Sequence, residues 1–443
     1  MRILVLLSVA MFLAALAPAR GLAAPATAPA TPRATAAATD RPNVVLIISD
    51  DQMWTDLGFM GHAVIKTPSL DRLAAESAVF PNGYVPTSLC RASLASLLTG
   101  MYGTQHKICC NDFPTEKERS ATYPFIQKAP TVPRLLAEAG YASLQTGKFW
   151  EGHYSNAGFT DGMSLGGRHG DEGLVIGRQT MQPVFEFIDK NAAEKKPFFV
   201  WYAPMMPHTP HNPPKRILEK YAGKSASPAI DAYYAMCEWM DETVGKLIAH
   251  LDEKKLRENT LILFVIDNGW IQDPRDKNKF DVRSKRSPYD AGLRTPILIN
   301  WPGKVKPARH EDLVTSLDLP PTILTACGVA PTKTMQGVSL LDIATGKEKS
   351  LSRDAVYGEI FTHDAAALDK PELSMTHRWI RQGDWKLILP QPGIAGGAGG
   401  GPQLFNVKDD PTEKTDLASQ READVRRLRA ALEKWWGTMH PPI

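Results

Sequence analysis

Two apolar segments, each followed at once by acidic or amide residues, constrain the fold of this chain more than any other feature. Both are rich in β-branched and aliphatic side chains: 44–49, which precedes Asp50 and Asp51, and 260–266, which precedes Asp267 and Asn268. Because these segments are apolar on both faces, they predict central strands of a parallel sheet that is buried on both sides.

Strand-type and helix-type patterns alternate along most of the chain. Further strands are predicted at 142–146, 198–203 and 297–300, and helices at 69–77, 131–139, 230–254 and 319–327. This alternation predicts an α/β fold with a large central, mostly parallel but mixed sheet flanked by helices. Beyond residue 330 the pattern changes to short strands and a final helix over 422–436, which indicates a small C-terminal α+β subdomain.

The N-terminus has the composition of an export signal. Arg2 is followed by an apolar run over 3–17, and small residues then gather at Ala23 and Ala24. A charged start, a short apolar core and an alanine-rich exit predict a signal peptide over 1–24. The run is shorter than the roughly 20 apolar residues that a membrane helix needs, so we expect no stable membrane insertion. Cleavage would leave a periplasmic or extracellular protein.

These patterns divide the chain into four parts. The signal peptide is followed by an Ala-, Thr- and Pro-rich linker over 25–40, a catalytic α/β domain over 41–330 and the C-terminal subdomain over 331–443. The formal net charge is only +3, and no basic run with interleaved aromatic residues occurs. These features exclude nucleic acid as a partner class.

The residues that follow the two apolar strands are candidates for a cation site. Ligands of open α/β sheets bind outside the carboxyl ends of the strands, where all four of these side chains are expected. Their carboxylate and amide oxygens suit a hard cation such as Ca²⁺ or Mg²⁺ better than zinc. The alternative is that these residues only form turns or cap helices.

Cys90 is the candidate for a reactive side chain. It lies in 86–100, where a turn-prone start leads into an Ala- and Leu-rich helix that ends at Gly100. A helix N-terminus stabilises negative charge, so this position is expected to lower the thiol pKa and to hold an anionic ester. The alternative is an inert buried cysteine, and an odd count of five cysteines leaves at least one unpaired.

Several motifs occur in a fixed order over about 41–437. They are 41–51, 67–74, 86–100, 146–148, 207–211, 265–269, 285–292, 294–296, 301–303 and 404–411. In kind, order and spacing they resemble the sulfatase family. The resemblance implies an alkaline phosphatase-like fold, hydrolysis of a small-molecule or glycan sulfate ester, and Ca²⁺ rather than Mg²⁺. The ligands it implies are the four side chains after the two strands, together with the modified Cys90.

The resemblance also implies a mechanism. A formylglycine-generating enzyme would oxidise Cys90 to formylglycine, whose hydrated aldehyde attacks sulfur, displaces the alcohol and then expels sulfate. Lys148 and Lys285 match positions that clamp the sulfate oxygens. His208 matches a position that contacts the sulfate or the leaving oxygen, where general acid catalysis is its expected task.

Two positions depart from the family pattern, and both concern the nucleophile. Leu94 stands where the family has an arginine that supports the formylglycine, and Trp150 stands where it has a histidine that contacts it. Arg91 and His153 are nearby candidates to compensate, although on a helix Arg91 would point about 60° away from position 94. Arg91 and His211 are candidates for substrate contact. Three interpretations follow: a sulfatase with an altered modification site, a phosphoester or phosphonate hydrolase that keeps the thiol, or a non-catalytic anion- or glycan-binding pseudosulfatase.

Overall fold

The structure is a computed structural model that describes residues 41–439 except 172, 174 and 394–399. The predicted signal peptide (1–24) and linker (25–40) therefore lie outside the described residues. No helix in the described part of the chain is both long and apolar enough to cross a bilayer.

The described strands are β1 (Asn43–Ser49), β2 (Ala78–Tyr84), β3 (Ala142–Gly147), β4 (Asp161–Gly162), β5 (Phe198–Ala203), β6 (Thr260–Ile266), β7 (Arg294–Asn300), β8 (Ala308–Arg309), β9 (Val314–Thr315), β10 (Ala355–Phe361), β11 (Met375–Gln382), β12 (Trp385–Pro390) and β13 (Gln403–Asn406). The described helices are α1 (Pro68–Ala75), α2 (Cys90–Thr99), α3 (Gly103–His106), α4 (Glu116–Ser120), α5 (Tyr123–Lys128), α6 (Val132–Glu138), α7 (Gln182–Ala193), α8 (Lys215–Tyr221), α9 (Pro228–Glu253), α10 (Asp290–Leu293), α11 (Leu319–Ala326), α12 (Leu341–Ala344) and α13 (Glu422–Met439).

A mixed sheet of nine described strands forms the centre of the fold. Its order is β4-β3-β5-β1-β6-β7-β2-β8, and β9 pairs with β2. Strand β1 pairs in parallel with β5 and β6, whereas β7 pairs antiparallel with both β6 and β2. The prediction of an α/β fold with a mixed central sheet flanked by helices is confirmed.

The alternation of side chains along β1 explains why helices cover both faces of this sheet. Val44, Leu46 and Ile48 pack in one apolar cluster with residues of α2, α6 and α11. Val45 and Ile47 pack in a second cluster with residues of α1, α7 and α9. A strand that is buried on both faces must be apolar at successive positions, and each buried side chain contributes about 1.5–3 kcal/mol.

Parallel pairing of β1 and β6 brings their carboxyl ends to one edge of the sheet. Ser49 lies opposite Ile266 in the register, so Asp50 and Asp267 follow at neighbouring positions. The backbone N–H of Asp267 donates to the Ser49 carbonyl at 2.9 Å. The segment after β5 reaches the same edge, because the Asp50 N–H donates to the Met206 carbonyl at 3.0 Å.

A smaller antiparallel sheet of β10-β11-β12-β13 follows in the C-terminal part of the chain. Helix α13 packs against it through Leu428 and Leu432, which are buried with Ile380 and Leu387 of the sheet. This arrangement agrees with the small C-terminal α+β subdomain expected from the sequence.

A buried ionic network joins the two sheets. Lys386 Nζ on β12 lies 2.7 Å from Asp290 Oδ1 and 2.9 Å from Glu413 Oε1, and all three side chains are buried. The hydroxyl of Tyr84 on β2 donates to Asp290 at 2.7 Å and accepts from Arg381 Nη1 on β11 at 2.5 Å. Burial raises the pKa of Glu413 to about 7, although Lys386 acts in the opposite direction. Lys386 is therefore the cation on which the ionic network between the two sheets depends.

We expect Lys386→Met to destabilise the protein by roughly 3–5 kcal/mol, because it leaves two carboxylates buried without their cation. The apparent free energy of unfolding in urea measures this loss. Lys408→Met is the matched control, since Lys408 is mostly exposed and lies 3.7 Å from Asp384. The control should change stability by less than about 1 kcal/mol. Equal effects of the two substitutions would contradict the account of the junction.

Candidate active site

Strand geometry gathers the four acidic and amide side chains that follow β1 and β6. Asp51 adopts a left-handed backbone conformation with φ of 57°, and its N–H lies 3.3 Å from Asp267 Oδ1. Asn268 Nδ2 donates to Asp51 Oδ1 at 2.7 Å. All four side chains, including Asp50, are buried. The structure thus brings together the residues that the sequence analysis selected as cation ligands.

Two lysines enter the same volume from different segments. Lys148 directly follows β3, and its Nζ lies 2.5 Å from Asp50 Oδ1 and 3.4 Å from Asp267 Oδ2. Lys285 comes from the loop before α10, and its Nζ lies 2.7 Å from both carboxylate oxygens of Asp51. Both lysines are buried, so their charges act in a medium that screens them weakly.

The pKa shifts in this cluster show how far the charges depend on one another. Burial is the largest single effect on Asp51 and disfavours its ionised form, but Lys285, His208 and Lys148 together outweigh it and hold the pKa below its usual range. Burial and the neighbouring charge of Asp50 raise the pKa of Asp267 well above its usual range. Burial alone would lower the pKa of Lys148, yet the carboxylates, Asp50 first, raise it. When all three carboxylates are ionised, they exceed the two ammonium groups by one negative charge, and the raised pKa of Asp267 shows that this charge needs a further cation.

The donor set fits a divalent cation. Asp50 Oδ2 and Asn268 Oδ1 are buried oxygens that have no hydrogen-bond partner among the described residues. Ligand atoms of Asp50, Asp51 and Cys90 all lie within 4.8 Å of one another. Buried polar atoms are normally satisfied, so free oxygens beside surplus negative charge indicate a place for a cation.

Cys90 is the first residue of α2, and its Sγ lies 4.0 Å from Asp51 Oδ1. The expectation that the helix N-terminus lowers its pKa is wrong. Burial raises the pKa of the thiol to about 12, although Lys148 and Lys285 act in the opposite direction. Loss of hydration outweighs both the lysines and the helix terminus, so the unmodified side chain is a neutral thiol at physiological pH.

The two candidate histidines lie on the segment after β5. His208 Nε2 is 3.4 Å from Asp51 Oδ2, and its Nδ1 is 2.7 Å from the Thr209 carbonyl oxygen, to which Nδ1–H donates. Burial lowers the pKa of His208. The His211 ring lies 5.6 Å from the Tyr233 ring, and burial lowers its pKa to about 4. His208 therefore borders the carboxylate cluster directly, whereas His211 lies near the rings of Tyr233 and Trp270.

Arg91 has a different partner from the one expected. Its Nε and Nη2 donate to the two carboxylate oxygens of Glu151 at 2.7 and 2.8 Å, and Nη2 also donates to Thr122 Oγ1 at 2.7 Å. Both charged side chains are nearly inaccessible to solvent, at 1% and 3% exposure. The guanidinium is thus committed to an internal ion pair rather than to a substrate contact.

This ion pair joins two segments of the candidate site. Arg91 is adjacent to Cys90 on α2, and Glu151 lies three residues after Lys148, so the pair fixes one segment against the other. Leu94 instead packs in the apolar cluster beside α2. His153 does not replace the missing histidine, because its ring caps a short helical turn through Ser155. Glu151 was not predicted as a site residue, although an acidic residue directly after Trp150 was a visible signal.

Trp150 also has a defined setting. Its ring meets the His169 ring edge-on with centroids 4.4 Å apart, and the Arg168 guanidinium lies 4.9 Å from its centroid. The His169 ring lies 5.9 Å from the His208 ring. At the position where the resemblance implies a histidine, Trp150 therefore packs against His169 and Arg168.

Comparisons with known proteins agree with this geometry. The sulfatase family matches residues 42–329, and the family described as N-sulphoglucosamine sulphohydrolase, C-terminal, matches residues 278–436. The N-acetylgalactosamine-6-sulfatase of Canis lupus familiaris is 28% identical over 473 residues, which cover 92% of this chain and 88% of that protein. Arylsulfatase A of Homo sapiens is 28% identical over 379 residues, which cover 74% of this chain and 73% of that protein.

A solved structure of a protein in complex with its substrate D-glucosamine-2-N,6-O-disulfate has a similar fold. The TM-score is 0.72 at 19% identity, with coverage of 91% of this chain and 99% of that one. Because the family match extends over more than half of the chain, the protein belongs to the sulfatase family. It is a sulfuric ester hydrolase with an alkaline phosphatase-like fold.

We expect Glu151→Leu to destabilise the protein by roughly 3–5 kcal/mol, because it leaves the Arg91 guanidinium buried without a counter-charge. The double variant Arg91→Met, Glu151→Leu should recover part of that loss, since both charges are then gone. Urea unfolding of the single and double variants measures the coupling. The exposed pair of Lys215 and Glu219 provides a control cycle, with an expected coupling below about 1 kcal/mol. Additive effects at Arg91 and Glu151 would contradict the role given to this pair.

Proposed function

We propose that this protein hydrolyses sulfate esters at one divalent cation, with a formylglycine derived from Cys90 as the nucleophilic residue. The observation that carries the proposal is the convergence of three carboxylates, one amide and two lysines around the Cys90 side chain. A sulfate ester is an anion, and this cluster offers it both a cation site and two fixed positive charges.

Asp50, Asp51, Asp267 and Asn268 would hold the cation together with the modified residue 90. All of these ligands are oxygen donors, which favours Ca²⁺ or Mg²⁺, and the family resemblance favours Ca²⁺. When bound, the cation supplies Lewis acidity that neutralises charge on the sulfate oxygens and lowers the pKa of the nucleophile.

The side chains of the protein itself bind the ester and protonate the leaving oxygen. Lys148 and Lys285 act as point charges on the oxygens of the bound sulfate group, and their burial strengthens that attraction. The Nδ1–H of His208 is directed to the Thr209 carbonyl, so Nε2 faces the site; it donates a proton to the leaving oxygen in the imidazolium form, which Asp50 and Asp51 favour against the effect of burial. His211 remains a proposed substrate contact. Arg91 does not, because its guanidinium is paired with Glu151.

The state of Cys90 separates this proposal from its alternatives. A thiol with a pKa of about 12 is not ionised at neutral pH, so the unmodified residue would be a poor nucleophile. Conversion of Cys90 by a formylglycine-generating enzyme is proposed on the family resemblance. A phosphoester or phosphonate hydrolase with an unmodified thiol, and a non-catalytic anion-binding pseudosulfatase, remain the alternatives for the experiments to distinguish.

The proposed substrates are sulfated sugars or glycans. The similar proteins include an N-acetylgalactosamine-6-sulfatase and a structure bound to a disulfated glucosamine. Export through a signal peptide over 1–24 would bring the enzyme to such substrates outside the cytoplasm. A catalytic domain over 41–330 and a subdomain over 331–443 complete the proposed organisation.

Mass spectrometry of tryptic peptide 73–91, from protein made in its native host, tests the modification. Conversion of Cys90 to formylglycine lowers the peptide mass by about 18 units, whereas an unmodified thiol leaves it unchanged. Peptide 108–117, which contains Cys109 and Cys110, provides an internal control and should keep its unmodified mass.

The same protein should release sulfate from aryl and sugar sulfates much faster than phosphate from an aryl phosphate. Cys90→Ala should reduce sulfate release by about a thousandfold or more, because the nucleophile is lost. Cys327→Ala, at the end of α11, is the matched control and should retain the activity. Faster turnover of the phosphate ester by protein with an unmodified Cys90 would favour the phosphoester alternative. Absence of turnover with any ester would favour the pseudosulfatase.

Removal of the cation should abolish activity. Treatment with a chelator, followed by dialysis, should lower the rate of sulfate release roughly a hundredfold or more, and added Ca²⁺ should restore it. Asp50→Asn should weaken this restoration, so that higher Ca²⁺ concentrations are needed. Asp189→Asn is a suitable control, because Asp189 pairs with Lys254 and His250 on the surface. An unchanged rate after complete cation removal would rule out the proposed mechanism.

A further inference from the structure

A second charged group borders the carboxylate cluster. It consists of Asp112, Trp150, Arg168 and His169, which we call the Arg168 cluster. Arg168 Nε and Nη2 both donate to the Asp112 carboxylate, at 2.7 and 2.5 Å, and Nη1 is 2.8 Å from His169 Nε2. The guanidinium also lies against the Trp150 ring. Contacts on three sides hold this arginine in one orientation.

Ring contacts connect this cluster to the proposed site of hydrolysis. His169 lies between the Trp150 ring at 4.4 Å and the His208 ring at 5.9 Å, and His208 is 3.4 Å from Asp51. The His169 ring therefore links the Arg168 cluster to His208, which borders the carboxylate cluster.

The cluster keeps donors free for a ligand. A guanidinium has five N–H groups, and the three contacts described above leave two of them uncommitted. The side chain of Arg168 remains 44% exposed. Burial and the charge of Lys148 lower the pKa of His169 to about 2, so this ring is neutral and accepts from Arg168. The Trp150 indole N–H is buried within the cluster and has no partner in the described part of the chain.

The charge of the surroundings favours an anion over a cation. Asp112, His363 and Asp364 offer three possible metal ligands close together. Asp112 is already neutralised, however, because Arg119 Nη2 lies 2.9 Å from one of its oxygens and Arg168 binds both. Two guanidinium groups beside one carboxylate repel a metal ion and attract a carboxylate or sulfate.

We propose that the Arg168 cluster is a binding site for a second anionic group of the substrate. The preferred substrate is then a sugar or glycan that carries another sulfate or a uronate carboxylate beside the scissile sulfate. This inference rests on the proposed function, since it assigns a substrate class to the same enzyme. Arg168 acts here in binding and specificity, and the reacting atoms lie at residue 90.

Kinetics on three matched substrates test the inference. They are a neutral sugar with one sulfate, the same sugar with a second sulfate, and a monosulfated disaccharide that contains a uronate. The wild-type enzyme should favour one or both of the dianionic substrates in kcat/KM. Arg168→Gln should reduce that preference by about tenfold or more, mainly through KM, because a fixed bidentate donor is lost. The dianionic substrate that shows the larger loss identifies the anion.

Two further variants keep the test specific. Arg168→Lys retains the charge without the planar donor pair, so it should recover only part of the preference. Arg216→Gln is the matched control, because Arg216 makes an equally close bidentate contact with Glu242 on the surface of α8 and α9. It should leave the substrate preference unchanged.

Equal losses on all three substrates in Arg168→Gln would overturn the inference, as would a wild-type enzyme that favours the neutral sugar. In both cases the proposed sulfatase function would stand. Absence of sulfate release from every substrate by the wild-type enzyme would instead overturn the proposed function itself, and this inference with it.

Discussion

Opposite charges held out of water at the carboxyl edge of the sheet are the interaction on which the rest of the structure depends. Asp50, Asp51 and Asp267 are buried there with Lys148 and Lys285, and each ion is tolerable only because the others are present. An apolar replacement of the whole group could be equally stable, so stability does not explain why such a cluster is kept. Its unpartnered oxygens, and the negative charge that it carries when all three carboxylates are ionised, fit the proposed cation site beside Lys148 and Lys285.

Leu94 and Trp150 occupy positions where the wider family has an arginine and a histidine. Other contacts around the carboxylate cluster take the place of those two residues. The Arg91–Glu151 ion pair fixes the helix that begins at Cys90 against the segment that carries Lys148. On the same segment, the Trp150 ring packs against Arg168 and His169. In the proposed function, Glu151 would help to position the nucleophile, and its neighbour Trp150 would help to recognise the substrate.

The sequence was sufficient to predict the central strands and the grouping of the acidic and amide side chains that follow them. β1, β5 and β6 are apolar on both faces, and their parallel pairing leaves only one edge for the acidic residues that follow them. β2 was missed because Pro81 and Gly83 interrupt it, and its pairing with β7 shifts register there. The Arg91–Glu151 pair and the Arg168 cluster could not be predicted, because each joins loops that are distant in sequence. The thiol pKa was predicted in the wrong direction because burial cannot be read from one helix terminus.

The number of divalent cations bound per chain tests the central claim most directly. Elemental analysis of protein purified without chelators should find one tightly bound Ca²⁺ or Mg²⁺ per chain in the wild type. In a folded Asp267→Asn variant the content should fall well below this, because a buried ligand and its charge are lost. Wild-type protein that hydrolyses sulfate esters without a bound cation, or an Asp267→Asn variant that binds it equally well, would contradict the account.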